Sequence, residues 1–131
     1  MGVMSLKANL RNIVVNNQNY VYWFFGGSKF ILNISPKNNK NNKIEIIFKA
    51  SPPNNERGYF WAFYKISSLK DNAEIVIELA QPKFVAEVIM YLTTRKDDVF
   101  AKKNLSKVSD GMALLRDMRY TNFNPIWIDE E

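Results

Sequence analysis

From residue 10 to residue 79 the apolar residues alternate with polar ones or fill both phases of a two-residue period, and beyond residue 81 they recur at three- and four-residue steps. The first spacing predicts strands and the second predicts helices, because side chains repeat every two residues along a strand and every 3.6 along a helix. A strand over 10–15 runs into the turn-forming cluster Asn16-Asn17-Gln18-Asn19 and returns as Tyr20-Val21-Tyr22-Trp23-Phe24-Phe25. Gly26-Gly27-Ser28 marks a second turn, followed by a strand over 29–35. A loop over 36–43 without apolar residues precedes the strand 44–49, and a loop over 51–58, stiffened by Pro52 and Pro53, precedes strands at 59–66 and 73–79. Connections this short predict an antiparallel meander, since a parallel pair needs a crossover of a dozen residues or more.

Pro82 sits where the first turn of a helix tolerates proline, and Phe84, Val85, Val88, Ile89 and Leu92 form one apolar stripe over a helix at about 82–93. Leu105, Val108, Met112, Leu115 and Met118 predict a second helix at about 105–119. Gly111 leaves its start open, with Ser109 or Asp110 as alternative caps. The tail 120–131 is apolar over 122–128 and is expected to lie on the protein. The fold expected is therefore α+β: one antiparallel meander sheet of five or six strands over 10–80, packed by two C-terminal helices, in a single domain spanning 1–131.

Composition narrows the chemistry. The chain has 131 residues with no histidine and no cysteine. That excludes thiolate nucleophiles, histidine acid–base pairs, Ser-His-Asp triads, thiol redox chemistry and zinc sites built on His or Cys. The net charge of +5 is unevenly spread: residues 1–70 carry ten Lys/Arg against Glu45 and Glu56, and residues 71–131 carry eight against eleven acids. An anionic partner for the first half, or a head-to-tail match between copies, would use that asymmetry. The opening MGVMSLKANLRN lacks the apolar run of about 7–15 residues that a signal peptide needs, and no segment approaches the roughly 20 apolar residues of a membrane span. The expected location is the cytoplasm.

Three groups of residues are candidates for function. Tyr20, Tyr22 and Phe24 share one face of their strand while Val21, Trp23 and Phe25 share the other, and Trp61 and Tyr64 lie on a second strand that is apolar on both faces. Such strands are core on both sides, or meet a second copy of the chain, or line a ligand cavity. Lys37, Lys40 and Lys43 form a basic patch, but without arginine forks or a single-strand-binding aromatic signature they read as a solvated loop. Glu74 and Glu78 stand about 13 Å apart along one strand, too far for a glycosidase pair, although Glu45 could approach either across a sheet. Asp97-Asp98 and Asp129-Glu130-Glu131 lack the spaced oxygens of a calcium loop.

The order VYWFF, glycine turn, KFILNIS, IEIIFKA, aromatic strand and QPKFVAEVIMY, over residues 10–92, resembles the small α+β proteins of bacterial mobile integron gene cassettes. The resemblance implies a compact sheet-and-helix domain, often oligomeric, with no catalytic residues to carry across. Together these readings lead us to expect a non-enzymatic binding or interaction protein with no cofactor or metal, dimeric through Tyr20, Tyr22, Trp23, Phe25, Trp61 and Tyr64. Its partners would be a second copy of itself or a small apolar or aromatic ligand, and neither a membrane nor sequence-specific nucleic acid. The alternatives are a small-molecule binder or carboxylate enzyme with an aromatic-lined cavity ringed by Tyr22, Trp61 and Tyr64, and a basic nucleic-acid-associated protein.

Overall fold

Two tight hairpins organise the strands, each turned by a pair of residues with positive φ: Asn16 and Asn17 at 50° and 66°, and Asp71 and Asn72 at 52° and 67°. Asn and Asp tolerate this left-handed region, and two successive positive φ angles give the turn whose twist matches that of the strands it joins. In this computed structural model, residues 10–26, 29–38, 42–49, 63–94 and 106–127 are described. The elements are β1 (Arg11–Val15), β2 (Gln18–Phe25), β3 (Lys29–Pro36), β4 (Ile44–Lys49), β5 (Phe63–Lys70), β6 (Ala73–Glu78), α1 (Pro82–Thr94), β7 (Ser106–Val108), α2 (Gly111–Asp117) and β8 (Tyr120–Trp127). Mixed strand and helix content of the α+β kind matches the expectation. Among the described residues, no helix is long and apolar enough to cross a membrane.

The strands form two sheets where one was expected. The larger has the order β1-β2-β3-β4-β7 and the smaller β6-β5-β8. Strands β1 to β4 are the antiparallel meander read from the sequence. Beyond β4 the meander ends: the next neighbour is β7, running parallel to β4 with Ile46 beside Val108. The chain between them is long enough to make that crossover because it contains β5, β6 and α1. The residues expected to begin the second helix are thus strand, and the helix starts at Gly111, capped by the Asp110 side chain, which accepts from the Ala113 N–H at 3.1 Å. Glycine is required there because a Cβ would stand 2.6 Å from the Phe48 ring and 2.8 Å from the Ile47 carbonyl.

The expected tail is strand β8, paired antiparallel with β5. Two register shifts and Pro125 interrupt this strand, which is why its sequence shows no regular alternation. At the second shift the buried Ser68 hydroxyl donates to the Thr121 carbonyl at 2.6 Å, so the irregular strand is tied by a side chain as well as by its ladder. The first turn is Asn16-Asn17 only, with Gln18 and Asn19 already in β2, and the strand expected to end at 66 continues to Lys70.

The core is filled by one phase of the larger sheet: Tyr20 and Tyr22, Phe30, Leu32 and Ile34, and Ile44, Ile46 and Phe48. Against them pack Ile66, Ile77 and Leu79 of the smaller sheet's side, the predicted α1 stripe, and Leu114 and Leu115 of α2. All five stripe residues of α1 are buried. Phe84 meets Phe48 edge to face at 6.3 Å, joining α1 to the larger sheet, and Tyr64 meets Phe30 at 5.7 Å, joining the two sheets.

Candidate functional site

Strand β6 is an edge, and most of it faces solvent. Of its six residues only Ile77 is buried, while Ile75 and Val76 are 39% and 50% exposed. It is held in place by an uninterrupted ladder to β5, from Lys70 opposite Ala73 to Lys65 opposite Glu78. Helix α1 leaves this hairpin through a tight turn in which Gln81 N–H donates to the Glu78 carbonyl at 3.1 Å. Strand and following helix therefore diverge from a common corner, and a cleft of about 180 Å³ opens between them. Ile75 and Ile77 line it from the strand, Phe84 and Glu87 from the helix, and Tyr120 from the start of β8. Val76, Glu78, Gln81 and Lys83 line it as well.

Two of its lining residues, Glu87 and Tyr120, belong to a polar clip drawn from three elements. Lys70 and Tyr120 face each other across the β5–β8 ladder. The Lys70 ammonium donates to Glu87 Oε2 and lies 4.6 Å from the Tyr120 ring centroid. The Tyr120 hydroxyl donates to Glu87 Oε1 at 2.7 Å. Burial first, then the hydrogen bond to the Glu87 carboxylate and its charge, hold the Tyr120 hydroxyl well above the ordinary tyrosine range. Both Glu87 oxygens are engaged and Tyr120 stays protonated, so the clip fixes shape and polarity and offers neither a nucleophile nor a base ready to take a proton.

The sequence-predicted residues are dispersed. Tyr20 and Tyr22 are 6% and 1% exposed and belong to the core, so they present no surface to a partner. Trp23 is half-buried on the opposite face, with the Lys43 ammonium 5.6 Å from its ring centroid. Phe25 and Tyr64 are exposed at 39% and 37%. Lys37 is exposed beside Gln18 and Asn19. Trp61, Lys40, the acids at 97–98 and the acids at 129–131 lie outside the described residues. The carboxylates do not converge: Glu45 is on the larger sheet, 3.8 Å from Lys107, and Glu74 and Glu78 are on β6 of the smaller.

Lys70, Glu87 and Tyr120 were not singled out from the sequence. Glu87 alone gave a signal, as the one acid in α1, beside the apolar stripe. Compared with protein-family models, with curated proteins and with solved structures, the chain returns no match.

Proposed function

We propose that this chain is a non-enzymatic binding or interaction protein and that the β6–α1 cleft is its ligand site. The observation that carries this is a cleft of mixed apolar and polar lining, walled by an exposed edge strand and bordered by a clip whose polar groups satisfy one another. With Tyr120 held protonated and both Glu87 oxygens engaged, the clip favours a structural role over a catalytic one. The cleft is also smaller than the roughly 300–1,000 Å³ of small-molecule sites, which favours a ligand that inserts a side chain or two over one enclosed whole. The test is an amide-resolved NMR titration with indole and phenol as aromatic probes. Shifts centred on Ile75, Ile77, Phe84 and Glu87, lost in Ile75→Glu, are expected. Saturating probe without shifts at these residues would overturn the reading.

Self-association is a second reading, supported by the exposed apolar side chains Leu10, Val14, Phe25 and Tyr64. With Tyr20 and Tyr22 committed to the core, the aromatic strands would contribute Phe25 and Tyr64 to such a contact. Sedimentation velocity across a micromolar concentration series tests it, a dimer being expected and a monomer throughout being the contrary result.

A further inference from the structure

We propose that the ligand of the β6–α1 cleft is an extended peptide, apolar between two basic residues, that adds to β6 as a fourth strand of the smaller sheet; this rests on the cleft being the binding site. The backbone of β6 shows which groups are on offer. A two-residue turn makes its flanking pair, Lys70 and Ala73, hydrogen-bonded to each other, and the pairs then alternate along the ladder. The Leu79 N–H donating to the Tyr64 carbonyl at 2.9 Å continues the same alternation past the end of the strand. Ala73, Ile75 and Ile77 thus spend their N–H and C=O groups on β5, and those of Glu74, Val76 and Glu78 point away from it. The Glu78 carbonyl is taken by Gln81, which leaves its N–H and both groups of Glu74 and Val76 as a five-point template.

Other edges of the two sheets do not offer this. Strand β8 carries Pro125 and two register shifts, β7 is three residues long, and β1 has α1 packed against it. Among the described residues, only β6 combines an unbroken, exposed edge with an adjacent cleft.

The side chains of β6 specify the occupant. On its solvent face Glu74 and Glu78 flank Val76, so residues paired with them are best cationic, apolar and cationic in turn. The intervening residues of an added strand point to the other face, beside Ile75 and Ile77, where the cleft receives them. A second β6 in full register fails this test, because it would set Glu74 opposite Glu78 of the second copy twice over, and like charges directly opposite are destabilising. A peptide such as Lys-Ile-Val-Ile-Lys satisfies every position.

The experiment titrates that peptide, acetylated and amidated, into the full chain and follows amide shifts and hydrogen exchange. Strand addition predicts slowed exchange at Glu74 and Val76 and affinity weakened by about tenfold or more in Val76→Pro, which removes an N–H that β5 does not use. The same weakening is expected for a peptide N-methylated at its two lysines and valine, and this arm carries the test should Val76→Pro fail to fold. Glu74→Lys with Glu78→Lys should invert the preference toward Glu-Ile-Val-Ile-Glu. Unchanged affinity for the N-methylated peptide would overturn strand addition. No peptide binding, with indole still shifting Ile77 and Phe84, would overturn the peptide while leaving the cleft as the site. Silence from both peptide and indole would overturn both.

Discussion

Tyr22 and Tyr120 are 1% and 3% exposed, yet loss of the hydroxyl should act on them in opposite directions. Among the described residues the buried Tyr22 hydroxyl has no hydrogen-bond partner, so it bears a desolvation cost without a return. Tyr22→Phe is expected to leave thermal stability unchanged or to raise it by about 1 kcal/mol. Tyr120→Phe removes a bond to a carboxylate and should cost about 1–2 kcal/mol at neutral pH. Tyr120 also sets an alkaline limit. Its ionisation is raised in the folded state, so its contribution is fully present below the unfolded tyrosine value of about 10 and is lost as pH rises above it. Denaturant melts above that pH should show stability falling more steeply in the wild type than in Tyr120→Phe. Equal slopes would remove Tyr120 from the alkaline transition. The sequence could not show what their hydroxyls meet: Tyr22 lies in an apolar run and Tyr120 between Arg119 and Thr121, and what distinguishes the two hydroxyls is a carboxylate 33 positions away from one of them.

Among the elements, α1 was fully legible because its signal is local: five apolar residues at helical spacing bury one stripe and nothing distant is needed to place them. Ile89→Ala is accordingly expected to cost about 2–5 kcal/mol, and Met90→Ala, at a position 47% exposed, within about 0.5 kcal/mol, both read from chemical denaturation. Comparable losses would contradict the burial of the stripe. The β1–β4 meander was legible for the same reason, its hairpins being closed by neighbours in sequence. Strands β7 and β8 were not. A three-residue strand has too few positions to show a period, and β8 carries a proline and two register shifts. Alternation marks a strand but does not name its partner, so one sheet was read where β5 pairs with β6 and β8 instead of extending the larger sheet. The cleft followed the same limit, since Lys70 and Tyr120 meet only through the β5–β8 pairing.

For the molecule as a whole, the smaller sheet depends on segments that are far apart in the chain. Residues 63–78 supply a hairpin, and residues 120–127 supply the strand that covers the free edge of β5. A chain ended at Arg119 should therefore lose its cooperative thermal transition, together with the clip that Tyr120 completes; a melt as sharp as that of the full chain would show that β8 is dispensable. Synthesis on the ribosome proceeds in one direction, and this gives the late arrival of β8 a cost in time. Until residue 127 has emerged, the β5–β6 hairpin has two open edges, with Ile66 and Ile77 lacking part of their cover. During that interval β5 could pair with any strand nearby, including one from a neighbouring nascent chain, and the smaller sheet is most exposed to misassembly just before β8 docks.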